Sequence, residues 1–457
     1  MKVFGHHFYV PIVMLIGVEF AMAALAFSVS AVLLSKGVAD SPVALTLWAS
    51  AFGLVVITGI TAVGLYQSKQ RLRTEGVLVR VAAGLMIAAT MLALVDFVLP
   101  VGIEGSLWVL SCALSLVLLG LIRILLSRWL DHDLFQRKVL IYGAGARAAN
   151  ILKLRRRSDR RGFRVTAFVP AQGDAPLLDD ERVKRLNVSL ATHAQETGVD
   201  EIVVAVDDRR RGFPIAELLR CKFAGIAVID MLTFLERETG RVKVDLMNPS
   251  WLIFSEGFSV SVLSKLGSRS MDIVVATAMF VLLSPLMVLA AVAIWFEDGR
   301  PVLYRQHRVG LMGKVFTVYK FRSMITSAEA DGKPRWAGTG DQRVTRVGRI
   351  FRKLRIDELP QLLNVLRGDM SLVGPRPERP EFVEKLAISI PYYHERHVVK
   401  PGLTGWAQLC YPYGSSEQDA MEKLQYDLYY IKHKSVVFDL VVLLQTVEVV
   451  FWGKGAR

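Results

Sequence analysis

Four apolar stretches, at residues 9–34, 43–66, 77–99 and 105–127, set the first limit on how this chain of 457 residues can fold. Each is long enough to cross a hydrocarbon core of about 30 Å as a helix, which takes around 20 residues. The reading is a four-helix transmembrane bundle over residues 1–130. The first stretch is too long for a signal-peptide core and its basic lead-in is weak, so it reads as an uncleaved anchor. Glu19 lies inside it and needs a partner there. Lys and Arg crowd into "QSKQRLRTEGVLVR" and "RILLSRWLDHDLFQRK", whereas the turns near 35–42 and 100–105 hold one lysine and a few acids. The positive-inside rule then puts both ends of the bundle in the cytoplasm.

The rest of the chain is not membrane-like throughout. Hydrophobic residues make up 52% and charged residues 21%, which fits membrane segments joined to soluble domains. Three cysteines, none close in sequence, exclude a disulfide framework or a zinc cluster and suit a reducing compartment. A net charge of +14 is compatible with nucleic acid, anionic lipid or a phosphorylated substrate. The basic run "LRRRSDRRGFR" at 154–164 is explained more cheaply by anionic lipid than by nucleic acid.

Residues 137–235 alternate strand-like and helix-like patterns: "KVLIYGAGARAANIL", "FRVTAFVP", "DEIVVAV" and "GIAVIDM". That is the rhythm of a Rossmann-like parallel sheet. Gly143 and Gly145 follow the first strand, where a backbone can approach a phosphate at a helix start. Two readings stand for this turn: a nucleotide cofactor site, or glycines that pack helix on strand. The second strand ends in "VPAQGD", without a clean acid where a ribose would sit.

After a linker at 236–270, a fifth apolar run covers 271–299 and carries Ser284-Pro285 at its midpoint. Proline removes a helical donor and disfavours helix at the residue before it. A fifth crossing would send a strongly basic remainder outside. A re-entrant helix over 271–297, entering, breaking at Ser284-Pro285 and leaving on the same face, avoids this; a proline-kinked crossing is the other reading. Carbonyls freed at a break need neighbouring protein or the serine hydroxyl. The closing "VVFDLVVLLQTVEVVFW" suits an interfacial helix or core packing.

Asp357 and Glu358 sit within "FRKLRIDELPQLLNVLRGDMSLVGPRPE". Leu359, Leu362, Leu363 and Leu366 recur at helical spacing, Pro360 suits a first turn and Gly368 a stop. Carboxylates at a helix start commonly cap it. Here Arg349, Arg352, Lys353 and Arg355 precede them, and Lys320, Arg322 and Arg376 are further candidate cations. Such a field keeps an aspartate ionised and neutralises phosphate oxygens. One carboxylate is then suited to attack phosphorus while its neighbour holds a divalent cation.

The strings "SPLMVLAAVAIWFEDGRPVLYRQHRVG", "FTVYKFRSM", "LRIDELPQLLNVLRGDMSLVGPRP", "KPGLTGWAQ" and "YDLYYIKHKSVVFDL" resemble the monotopic phosphoglycosyl transferases, the bacterial polyprenyl-phosphate sugar-1-phosphate transferases. They fall in order across most of residues 270–452. The amino-terminal half is similar in architecture to the large, exopolysaccharide-initiating form. The resemblance implies a catalytic domain over 271–457 with a re-entrant helix. It implies that Asp357 attacks the sugar-linked phosphorus of a UDP-sugar, releasing UMP, and that undecaprenyl phosphate then displaces Asp357. It further implies Mg²⁺ held by Glu358, phosphates gripped by Lys320, Arg352 and Arg376, a homodimer, and a multi-pass place in the bacterial inner membrane with soluble domains facing the cytoplasm.

His394 and His397 at i, i+3 lack a third ligand and read as structural. Trp406 suits either a uracil stack or a membrane interface. The rival function is a nucleotide-sensing membrane scaffold regulating polysaccharide synthesis, with the Gly143–Gly145 turn as its working site and a degenerate catalytic domain. A membrane-anchored dehydrogenase or epimerase lacks a Tyr-x-x-x-Lys relay in residues 137–235.

Overall fold

In the computed structural model, the described residues are 2–3, 6–7, 10–34, 41–63, 65–66, 74–98, 104–129, 136–154, 162–171, 174, 181–208, 213–247, 249–255, 257–258, 261–326, 328, 341, 343–411, 414 and 416–452. Two compact units divide the chain, one made of Met1–Val3 with His7–Lys243 and the other of Phe4–His6 with Val244–Arg457.

The first unit opens with helices α1 (Val10–Leu33), α2 (Pro42–Ala62), α3 (Thr74–Val98) and α4 (Gly105–Trp129). Neighbours pack in a ring, α1 on α2 and α4, and α3 on α2 and α4. Phe27, Phe52, Val56, Ile60 and Leu119 fill the interior, while Met14, Leu47, Leu54, Met86 and Val109 face outward. Apolar residues on both sides are what a lipid-facing bundle requires. Helices α1, α2 and α4 each contain a stretch long and apolar enough to cross a membrane. Within the expected span at 77–99, helix α3 runs to Val98 and its described apolar stretch is Leu78–Ala93; residue 99 lies outside the described residues. Glu19 finds its partners: Arg123 binds both of its carboxylate oxygens and the Tyr66 hydroxyl donates to one. Residues 67–73, 130–135 and 155–161, which carry much of the basic runs, lie outside the described residues.

The α/β part of this unit contains β1 (Arg137–Tyr142), α5 (Ala146–Leu152), β2 (Phe163–Val169), α6 (Leu190–Glu196), β3 (Glu201–Val204), α7 (Ile215–Phe223), β4 (Ala227–Asp230) and α8 (Met231–Thr239). All four strands are parallel, in the order β2-β1-β3-β4. Chain order reverses at β1, so the glycine turn sits where such sheets hold ligands. Its donors are nevertheless spent internally. The Ala146 and Arg147 N–H groups donate to the Asp207 carboxylate at 2.9 and 2.8 Å, and the Ala144 N–H donates to Asp174 at 2.9 Å. A Cβ at position 145 would lie 2.0 Å from an Asp207 oxygen, and one at 143 would lie 2.4 Å from the Ala205 carbonyl. For Gly143 and Gly145 the geometry therefore favours close packing over a cofactor phosphate, because a fixed carboxylate already neutralises the turn.

The second unit begins with α9 (Pro249–Phe254) and α10 (Val262–Asp298), the fourth helix long and apolar enough to cross a membrane. Helix α10 starts at Val262 rather than 271, since Ser261 caps it by accepting from the Ser264 N–H. Apolarity alone missed this first segment, which carries Lys265 and Arg269. The expected break at Ser284-Pro285 does not interrupt the helix, which runs through Pro285. Pro285 has no N–H for the Val281 carbonyl, and the Ser284 hydroxyl supplies a donor instead at 2.8 Å. Beyond it lie the antiparallel hairpin β5 (Leu303–Val309) and β6 (Val315–Phe321), then α11 (Arg346–Leu354), a 3₁₀ turn at Ile356–Gln361, and α12 (Leu362–Arg367). The parallel pair β7 (Ser371–Val373) and β8 (Gly402–Thr404) is accompanied by α13 (Pro380–Ser389), α14 (Trp406–Cys410), α15 (Glu417–Lys432) and α16 (Val436–Trp452). Helix α16 is docked rather than free: buried Asp439 accepts from Ser268 at 2.8 Å and from Tyr430 at 2.7 Å.

Candidate active site

The acids lie on the 3₁₀ turn between α11 and α12, and three features fix that turn. Ala290 and Ile294 of α10 pack with Phe321 and Phe351, and Ile356 and Leu359 close the edge of the cluster. Asn364, fully buried on α12, donates to the Thr317 carbonyl at 2.7 Å and accepts from the Tyr319 N–H at 3.2 Å. It thereby mends the edge of β6, the strand that carries Lys320. Arg355 adopts a left-handed conformation (φ 60°), which ends α11 and turns the chain into the acidic segment. Gly368, at φ 93°, stops α12 where the leucine repeat ends.

Asp357 and Glu358 are each 9% exposed, and no side-chain cap is formed at this turn. Capping is therefore not their role. One Glu358 oxygen accepts from Lys320 at 3.2 Å and from Arg376 at 2.9 Å, while Arg355 approaches the other at 3.7 Å. Burial opposes ionisation of Glu358, but Arg376, Lys320 and Arg355 outweigh it and hold its carboxyl well below the usual carboxylate range. Asp357 moves the other way. Burial, and then the charge of Glu358, push it up to about 6 against the pull of Lys320, Arg355 and Arg376. Burial also lowers Lys320, a fall that Glu358 only partly offsets. Asp357 is thus ionised near neutral pH, and its Oδ1 is buried without a hydrogen-bond partner.

Of the cations expected from sequence, Lys320 and Arg376 meet at Glu358. Arg352 does not join them among the described residues; its charge is felt by Asp341. The third position is taken by Arg355, brought round by its positive φ. Arg322 lies elsewhere, donating to the Asp298 and Gly299 carbonyls at 2.8 and 3.0 Å and closing the carboxyl end of α10. Arg376 is held through its backbone. The Gly402 N–H donates to the Pro375 carbonyl at 2.9 Å, and a Cβ at Gly402 would fall 2.1 Å from the Gly374 nitrogen. The glycines of "GPRP" and "PGLTGW" thus let two backbones touch. Sequence reading missed Asn364 and Arg396; the latter pairs with buried Asp427 and donates to the Arg376 carbonyl at 3.1 Å. Their signal was a polar side chain in an apolar helical run and a charged residue among aromatics, which single-sequence patterns do not pair.

His397 is buried and His394 exposed, and burial first, with the Arg396 charge, lowers His397 to about 4. Trp406 stacks on Tyr429 and tilts against Phe438, so it belongs to an aromatic cluster. Among the described residues no three His, Cys, Asp or Glu side chains gather as a metal set. A cation held mainly by substrate phosphates needs fewer protein oxygens. Asp357 Oδ1, without a hydrogen bond among the described residues, and the second Glu358 oxygen, which Arg355 approaches at 3.7 Å, fit that lighter demand.

Residues 263–453 match the bacterial sugar transferase family. A UDP-N-acetylgalactosamine-undecaprenyl-phosphate N-acetylgalactosaminephosphotransferase of Aeromonas hydrophila is 44% identical over 240 residues, covering 52% of this chain and 56% of the relative. An undecaprenyl-phosphate glucose phosphotransferase of Komagataeibacter xylinus is 32% identical over 70% of this chain and 60% of its own length. A UDP-glucose:undecaprenyl-phosphate glucose-1-phosphate transferase of Klebsiella pneumoniae is 32% identical over 357 residues, 76% of this chain and 75% of the relative. The chain thus spans little more than half the length of the first two and three quarters of the third. With the motifs of its second unit and this coverage, the chain belongs to the bacterial polyprenyl-phosphate sugar-1-phosphate transferase family.

Proposed function

We propose that this protein transfers a sugar 1-phosphate from a UDP-sugar to undecaprenyl phosphate through a covalent intermediate on Asp357. The observation that carries the reading is the carboxylate pair itself. Glu358 gathers Lys320, Arg376 and Arg355, while Asp357 beside it keeps an oxygen without a partner. In the first step that oxygen attacks the sugar-linked phosphorus, the P–O bond of the diphosphate breaks, and UMP leaves with the bonding electrons. In the second, a phosphate oxygen of undecaprenyl phosphate attacks the same phosphorus and expels the Asp357 carboxylate, giving undecaprenyl diphosphate sugar. Phosphoryl transfer needs chiefly positioning and charge neutralisation, which the three cations supply. Mg²⁺ held by Glu358 would add neutralisation of diphosphate oxygens when bound. Two displacements let a water-soluble donor and a lipid acceptor use one site in turn.

The setting follows from the same reading. Helix α10 enters and leaves on the cytoplasmic face of the inner membrane, which requires the continuous helix to bend in the bilayer at Ser284-Pro285, and the product initiates a cell-surface glycan. The names of the relatives and the basic character of residues after 299 support this. The test is incubation with UDP-sugar alone, followed by mass analysis of the peptide containing Asp357. A sugar-phosphate adduct that disappears in Asp357→Asn is expected. Product formation without any such adduct refutes the covalent route.

A further inference from the structure

Resting on that reading, we propose that the sugar of the donor is recognised in a second cleft, lined by Glu378, Phe382, Tyr393, Arg396, Ala420 and Lys423. This cleft lies against α13, α15 and the 3₁₀ turn Tyr393–His397. Its chemistry differs from that of the space beside the acids. There, the surface is lined by Arg308, Lys320 and Arg376, three cations suited to phosphate. The second cleft combines an acceptor, donors and an aromatic ring, which is what a polyhydroxylated ring requires.

Glu378 is the centre of the argument. Among the described residues its carboxylate takes no hydrogen bond, and its one ion pair is with Arg308 at 3.6 Å. It therefore retains acceptor capacity for two adjacent hydroxyls. The Tyr393 hydroxyl accepts from Arg396 at 3.1 Å, and burial first among its causes keeps it protonated, so its own hydrogen remains to be donated. Lys423 is half-buried and donates to the Gly414 carbonyl at 2.8 Å, and its charge is coupled to Glu378.

The two clefts share one short piece of chain. Arg376 grips Glu358 with its guanidinium, and its carbonyl is held by Arg396, a wall of the second cleft. Glu378 follows two residues later, so its Cα lies within about 7 Å of that of Arg376. A hexose 1-phosphate spans a similar distance from phosphorus to its far hydroxyls. The "RPE" segment thus links phosphate to sugar recognition. Configuration at one hydroxyl is strongly discriminated only where buried polar groups would be left unpaired by the wrong epimer.

The test is a panel of UDP-glucose, UDP-galactose and their N-acetyl derivatives, measured for turnover with undecaprenyl phosphate and for equilibrium binding against UDP. Glu378→Gln is isosteric and Ala420→Leu narrows the cleft while keeping a good helix former. In Glu378→Gln the preferred donor is expected to lose about 10- to 100-fold in kcat/KM. Its advantage over its epimer should shrink in parallel, with UDP binding changed less than about twofold. In Ala420→Leu the N-acetyl donors should suffer more than the plain hexoses. A wild-type protein that turns over the panel while both variants keep its ranking sinks the cleft alone. Loss of UDP binding equal to loss of UDP-sugar binding also overturns it, because the defect is then not in the sugar. A wild-type protein that makes no lipid-linked product from any donor sinks the parent reading and this one with it.

Discussion

Replacing Asp357 by asparagine should make the protein more stable at neutral and alkaline pH, because the site holds a charge where burial disfavours it. The group sits at about 6 in the folded chain against an ordinary 3.8. Each tenfold change is about 1.4 kcal/mol, so holding the ionised form above pH 7 costs up to about 3 kcal/mol. The sign follows from the direction of the shift. A carboxyl raised on folding adds stability below its unfolded value and loses it as pH climbs through the folded value. Asparagine has no proton to lose, so its advantage should be fully present at pH 8 and fall to about 1 kcal/mol near pH 4.5. For a unit of this size, 3 kcal/mol corresponds to roughly 6–12 °C in Tm. Thermal melts of the full chain in lipid nanodiscs at pH 8 and 4.5, wild type against Asp357→Asn, read this directly. Asparagine at or below the wild-type Tm at pH 8 would refute the reasoning, as would an advantage independent of pH. Either result means that the surrounding cations, not burial, dominate Asp357.

The same shift predicts that kcat/KM for the donor falls about tenfold per pH unit below about 6. Lys320→Met removes a charge that lowers Asp357, so the acid limb should move to higher pH; a limb that stays put means Asp357 is not the titrating group. In the bundle, Glu19→Ala leaves Arg123 buried without its carboxylate and should cost about 3–5 kcal/mol, whereas Glu19→Leu with Arg123→Leu should cost far less; equal losses in unfolding assays would show that the pair contributes no coupling. Single cysteines at positions 266 and 296, near the two ends of α10, should both react with a membrane-impermeant thiol reagent from the cytoplasmic side only. Labelling of the two from opposite sides would make α10 a true crossing.

How much of this was legible beforehand depends on the range of the interactions. Helices α1 to α4, the parallel strands and the stop at Gly368 rest on local pattern, and each appears close to where apolar periodicity and turn residues put it. The acidic pair and two of its cations were readable because a cluster of charge next to "DELP" has no cheaper explanation. Which basic residues of the run 349–355 meet Glu358 was not legible, because adjacency along the chain does not give adjacency in space. A single positive-φ residue at Arg355 turns the chain and brings its guanidinium to Glu358.

Sequence by itself determined that this chain has helices fit for a membrane, a parallel α/β region and an acidic doublet in a basic field. Composition and spacing act over a few residues, and such features need nothing else. Only tertiary structure decided that the glycine turn is filled by Asp207, that Ser284 repairs the carbonyl freed by Pro285, and that Asp357 rather than Glu358 is left without a partner. Two neighbouring carboxylates with the same intrinsic chemistry are pushed apart by burial and by three cations, of which Lys320 and Arg376 arrive from other segments, and no local pattern encodes that arrival.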